Sequence, residues 1–87
     1  MRWPAEEDRE YATEVGRRLR AWRVMRRLTQ RQLAELAGVD RELVRATEEA
    51  TISVDLTRLR RLALAVGAPL PQLLDEDLVL PAATVRR

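Results

Sequence analysis

Residues 28–49 read LTQRQLAELAGVDRELVRATEE, and this stretch decides the fold: two short helices joined by a tight turn. Thr29 is an N-cap, Gln32 three residues on completes a capping box, and Leu28 with Leu33 are placed as the apolar staple that fixes the chain's entry angle. The spacing predicts a helix from Gln30 that stops at Ala37. Gly38 can take the left-handed conformation that closes a helix, and Val39 is placed to fold back onto Leu33 and Ala34. Asp40 then caps a second helix. The turn between the two is about three residues long, which sets consecutive helices at a steep angle.

Outward from this unit the pattern stays helical. Upstream, Trp3-Pro4 followed by Ala5, Glu6, Glu7 and Asp8 is a helix start, with proline tolerated in the first turn and acids at the positive end of the dipole. That helix is expected to run to about Arg27. Tyr11, Val15, Leu19 and Trp22 form its apolar stripe, and Gly16 is a point at which it could be interrupted. Between Arg17 and Arg27 its other faces carry six arginines and no acid, read as a solvated face. Downstream, Asp55 announces a helix with Leu56, Leu59, Leu62, Ala63 and Val66 on one side, ended by Gly67. A short helix follows, in which Pro69 and Pro71 are acceptable at or before a first turn and Leu70, Leu73 and Leu74 supply an apolar edge. The last ten residues, LVLPAATVRR, lack a helical period and read as an extended arm.

Composition excludes whole classes of function. With no cysteine and no histidine among 87 residues, the common structural zinc sites, a disulfide framework and nucleophilic catalysis through Cys or a His-activated Ser are all ruled out. No phosphate-cradling glycine loop or nucleophile–base cluster is present, so neither an enzyme nor a cofactor-binding protein is expected. The N-terminus lacks an apolar signal region and nothing approaches a membrane span, so a cytoplasmic location without membrane contact is expected. All 16 basic residues are arginine, while Lys, Asn and Phe are absent, a usage expected of a bacterium of high GC content. A net charge of +2 decides little, and the distribution of charge has to carry the reading.

From Val15 to Leu74 the sequence VGRRLRAWRVMRRLTQRQLAELAGVDRELVRATEEATISVDLTRLRRLALAVGAPLPQLL resembles the phage-repressor (Cro or Xre type) helix-turn-helix family without a gap. LTQRQLAELAGV is close to that family's most distinctive stretch, and LxRLxxLAxAxGxxLxxLL from Leu56 to Leu74 closes the domain in the expected register. The resemblance implies an all-α fold, a compact five-helix repressor-like domain over residues 1–77 followed by the arm 78–87. It also implies a dimeric transcriptional regulator bound to double-stranded operator DNA. Four positions depart from the family pattern. Arg27 and Ala50 stand where glycines usually end the first and third helices, Thr47 stands where a bulky apolar residue packs, and Val54 replaces a common proline.

Helix geometry turns Val44 and Thr47 inward and leaves Arg41, Glu42, Arg45 and Glu49 on the opposite face of the third helix. Arginine can donate twice to guanine O6 and N7, and glutamate can accept from cytosine N4, so Arg41, Arg45 and Glu42 are chemically able to read bases. By spacing alone an ordinary salt-bridged surface is the better reading; the family register reverses it in favour of DNA contact at Arg41 and Arg45. The resemblance also places Gln30 against the DNA backbone and pairs Arg23 with Glu48 to tie the first helix to the third; Arg31, Thr51 and Ser53 are further candidate phosphate contacts of the positioning kind. Leu70, Leu73, Leu74, Leu78 and Leu80 are the expected dimer contacts. Four acids against two arginines between Asp40 and Glu49 keep an alternative open, a protein-interaction module of the same fold with a protein partner and little DNA affinity.

Overall fold

The computed structural model describes residues 6–73. They form α1 (Glu6–Met25), α2 (Gln30–Ala37), α3 (Arg41–Glu48), α4 (Leu56–Val66) and a single turn, α5 (Leu70–Leu73), with no strand among them. The fold is therefore all-α, with four full helices; the expected fifth is reduced to one turn within the described residues. Leu74 and the expected arm 78–87 lie outside them.

The capping box sets the start of α2. Thr29 Oγ1 accepts from the Gln32 amide at 3.0 Å, and Gln32 Oε1 accepts from the Thr29 amide at 2.9 Å. Asp55 caps α4 through Oδ1, which accepts from the Arg58 amide at 2.7 Å. Asp40 differs from expectation: it occupies the N-cap of α3, but its carboxylate makes no capping hydrogen bond. Its carbonyl oxygen accepts from Leu43 and Val44, which is the backbone share of the cap alone.

Every one of the four full helices closes in the same way. A residue just past the last helical turn goes left-handed, Arg27 at φ 60, Gly38 at φ 71, Ala50 at φ 59 and Gly67 at φ 73, with Gly38 and Gly67 serving as the C-caps themselves. The following amide then reaches back five residues, from Leu28 to Arg23 O at 3.1 Å, Val39 to Ala34 O at 3.0 Å, Thr51 to Ala46 O at 3.0 Å and Ala68 to Ala63 O at 2.9 Å. This is the Schellman closure, which satisfies the last carbonyls of a helix. Glycine occupies only two of the four left-handed positions. Arg27 and Ala50 hold the geometry that glycine holds elsewhere, although an L side chain is crowded there.

Gly16 does not interrupt α1, which runs unbroken through it. It is buried, and a Cβ built on it would lie 2.8 Å from the Glu48 carbonyl oxygen and closer still to that of Thr47. The glycine lets α1 cross the last turn of α3 backbone against backbone. Around this crossing the apolar stripe of α1 packs onto the other helices. Leu19, Leu33, Val44, Leu62, Val66 and Leu73 are fully buried, with Val15, Ala34, Ala37, Leu59, Ala63 and Ala68 completing the core and Tyr11 and Trp22 lying against it. Leu56 departs from the expected apolar side of α4. As the first helical residue it is 64% exposed, and the core begins one turn later at Leu59. Thr47 is buried, its hydroxyl donating to Leu43 O at 2.7 Å. Its small side chain borders a hollow of about 230 Å³ lined also by Tyr11, Val15, Ile52 and Val54.

Candidate nucleic-acid interface

The outward face of α3 is aimed by a brace at its C-terminal end. Arg23 on α1 meets Glu48 on α3 as a two-pronged pair, Nε–H donating to Oε2 at 2.6 Å and Nη2–H to Oε1 at 3.1 Å. A third donor, Nη1–H, reaches the Leu28 carbonyl at 2.8 Å. Gln30, the first residue of α2, donates its amide Nε2–H to Glu48 Oε1 at 3.1 Å. The side chains are only 12% and 4% exposed for Arg23 and Glu48. In such surroundings a charged pair holds only with good geometry and satisfied lone pairs, and both conditions are met. One carboxylate thus ties three elements together: α1, the start of α2 and the end of α3.

The four outward charges of α3 behave unequally. Arg45 donates Nε–H to Glu42 Oε1 at 3.1 Å, a second prong from Nη2 to Glu42 Oε2, and Nη1–H to Glu49 Oε1 at 2.6 Å. The hydrogen bonds from Arg45, opposed by slight desolvation and helped by the charges of Arg45 and Arg41, hold the Glu42 carboxyl below the usual carboxylate range. The same bond to Glu42 raises the already high pKa of Arg45. The Arg41 side chain is exposed and forms no hydrogen bond or ion pair among the described residues, its charge acting on Glu42 only at longer range. The two arginines, equivalent by spacing as candidates for base contact, are chemically distinct in the fold.

Of the backbone-contact candidates, Gln30 is half-buried and turned to Glu48, while Arg31 is exposed beside Glu35 at 3.9 Å. Thr51 is exposed, with its hydroxyl 3.4 Å from Ala46 O, and Ser53 is exposed at the rim of the hollow beside Thr47. Thr51 also lines an open groove beside α3, shared with Asp40, Glu42, Arg58 and Arg61. The arginine-rich faces of α1 are less free than their sequence implies. Arg17 and Arg18 pair with Glu14, and Arg23 with Glu48.

Arg26, grouped in sequence with the solvated arginines, has a structural role. Its Nε–H donates to Val66 O at 2.8 Å, at the end of α4, and its guanidinium lies 5.6 Å from the centre of the Trp22 ring. A cation three or four residues from an aromatic on one helix face was the available signal; its reach across to α4 has none.

Leu73 is corrected as a dimer contact. It is wholly buried in the chain's own core, so no surface of it is left for a partner. The side chain of Leu70, and Leu74, Leu78 and Leu80, lie outside the described residues. Among the described residues there is no group of His, Cys, Asp or Glu side chains able to hold a metal ion, and no helix long and apolar enough to cross a membrane.

Three comparisons place this architecture. The restriction-modification controller protein C.AhdI from Aeromonas hydrophila is similar in structure, with a TM-score of 0.69 and 34% identity over 71% of this chain and 94% of its own. The hypothetical transcription factor NHTF from Neisseria superposes with a TM-score of 0.73 at 30% identity, over 92% of this chain and 93% of its own. A transcriptional regulator of the HTH_3 family from Vibrio cholerae shares the fold at 20% identity and a TM-score of 0.71, with 75% of this chain matched to 36% of that protein. No curated protein matches significantly. The family model described as a helix-turn-helix domain matches residues 14–76, and the chain belongs to that family.

Proposed function

We propose that the protein is a sequence-specific, double-stranded-DNA-binding transcriptional regulator without enzymatic activity, which places α3 in the major groove and acts as a homodimer. The observation that carries this reading is the Arg23–Glu48–Gln30 brace, which aims α3 from behind and leaves its charged face outward. Support comes from family membership and from the controller protein and transcription factor with which the fold is shared. Arg41, Glu42 and Arg45 are the base-reading residues. Arg31, Thr51 and Ser53 contact phosphates, with Gln30 holding the register. In this reading residues 1–77 form the binding unit, and Leu70, Leu74 and the arm 78–87 supply the dimer contact.

One observation favours a second reading, a protein-interaction module. Arg45 is neutralised between Glu42 and Glu49, which leaves the α3 face with little free positive charge. Selection of bound duplexes from a random pool separates the two. A regulator yields a palindromic site whose half-sites lie about one helical turn, 34–36 Å, or a multiple of it apart. Recovery of no site, together with a monomer by sedimentation at micromolar concentration, would remove the DNA reading and its dimer.

A further inference from the structure

The outward face of α3 presents a competition inside one helix. A guanidinium has five N–H donors, and three of those on Arg45 are directed at its own helix, two to Glu42 and one to Glu49. The edge formed by Nε and Nη2 faces the Glu42 carboxylate. That is the bidentate edge with which arginine also takes a phosphate or the O6/N7 edge of guanine. Arg45 cannot make either contact with this edge without first releasing Glu42. Arg41, four residues earlier on the same face, faces no such choice, since its side chain has neither hydrogen bond nor ion pair among the described residues.

The two kinds of DNA contact then differ in what becomes of the released acid. A phosphate satisfies Arg45 but strands Glu42 beside like charge, and the same holds at every sequence. A site that offers guanine O6 and N7 to Arg45 and a cytosine N4 amino group to Glu42 satisfies both groups at once. Resting on the DNA-binding reading, we infer that Glu42 and Glu49 act as an internal competitor for Arg45. They withhold it from the phosphate backbone and release it at guanine with a cytosine amino group in reach, so that on non-cognate DNA Arg41, a base reader at the cognate site, takes the phosphate contact, while the Arg45–Glu42 pair sharpens discrimination. The side chains of Arg45, Glu42 and Glu49 are 44%, 68% and 53% exposed. Exposed pairs of this kind are weak enough to open, so the clamp biases the choice of contact without forbidding it.

The test is the salt dependence of binding to a scrambled duplex, followed by fluorescence anisotropy. The variants are R41Q, R45Q, E42Q/E49Q and the triple change R45Q/E42Q/E49Q, all at exposed or half-exposed positions. Each phosphate neutralised contributes about 0.9 to the slope of log K against log salt. R41Q should flatten the slope by about that amount and R45Q should leave it nearly unchanged, while E42Q/E49Q should steepen it by about 0.9 as Arg45 becomes free to take a phosphate. The triple variant should lose that gain. On a selected site E42Q/E49Q should narrow the ratio of specific to scrambled affinity. Equal flattening by R41Q and R45Q would overturn the inference, as would the same gain from E42Q/E49Q with and without Arg45, which is what removal of negative charge alone produces. Absence of salt-dependent binding in both the wild type and E42Q/E49Q is a different result: it removes the DNA reading, and the inference with it.

Discussion

Replacing Ala50 by glycine should stabilise the protein, although it deletes a methyl group and adds a flexible residue. Ala50 sits at φ 59, where it closes α3 by donating to Thr47 O at 3.2 Å while Thr51 reaches back to Ala46 O. The left-handed conformation costs an L residue roughly 1–2 kcal/mol through contact of Cβ with the backbone. Against this, glycine gains unfolded-state entropy of about 0.4–1 kcal/mol, so a net stabilisation of about 1 kcal/mol is expected. In a domain of this size that shifts the melting temperature upward by about 4–8 °C. Gly38→Ala is the mirror experiment. Gly38 has φ 71 and nothing within 4 Å of a built Cβ, so the change there isolates the backbone cost from any clash. The two variants should move Tm by similar amounts in opposite directions, read by far-UV circular dichroism during reversible melting. Arg27→Gly, at φ 60, should behave as Ala50→Gly does. A fall in Tm for Ala50→Gly, or no change, while Gly38→Ala is destabilising, would refute the idea that strain is stored at the end of α3.

Three further outcomes follow from the fold. Gly16→Ala should improve intrinsic helix propensity yet destabilise by about 1–3 kcal/mol, because the new Cβ meets the carbonyls of Thr47 and Glu48, which are backbone and cannot rotate away; urea unfolding at constant m-value measures it, and a gain in stability would show that α1 and α3 can separate freely. Glu48→Gln should cost about 3–5 kcal/mol by leaving the Arg23 guanidinium buried without a counter-charge, whereas Gln30→Ala, which removes one hydrogen bond to the same carboxylate, should cost about 1 kcal/mol; equal effects would place the charge in solvent. Stability should be level above the usual carboxylate range and fall as pH drops through it and below. At Glu14 desolvation, the largest single influence, is outweighed by the combined hydrogen bonds and charges of Arg17 and Arg18, so both it and Glu42 are lowered in the fold, and a carboxyl with a depressed folded pKa contributes stability that is lost on protonation. Carboxyl NMR titration showing either group at or above its ordinary value would contradict this.

How far the sequence reaches depends on whether a position answers to its neighbours or to the fold. The bounds of α2 follow from Thr29, Gln32 and Gly38, whose side chains or backbone freedom act within one turn. The closures at Arg27 and Ala50 carry no such mark, since neither residue favours a left-handed turn and only the surrounding packing imposes one. Gly16 is ambiguous for the same reason: a glycine in a helix signals a break or a close approach, and only the position of α3 decides. Leu73 lies on an apolar edge that reads equally as core or as interface, and the packing of α5 against α1 and α4 makes it core. On α3 the identity of the outward residues is legible from the helical period. The engagement of Arg45 is legible only as one of two readings, because partners three and four residues away compete with anything outside the chain.

The crossing at Gly16 and the pair at Arg23 together amount to a mechanical mount. They are seven residues apart on α1, about 10.5 Å along its axis and almost on one face; Gly16 lies against the main-chain oxygens of Thr47 and Glu48, and Arg23 binds the Glu48 carboxylate. A steric stop and a tie hold the last turn of α3 against α1, so that end of the helix cannot shift unless α1 moves with it. The freedom given up in aiming this helix is therefore lost when the chain folds, and little remains to be lost on docking, which lowers the entropic cost of association. The expected signature is a small change of shape between free and bound forms.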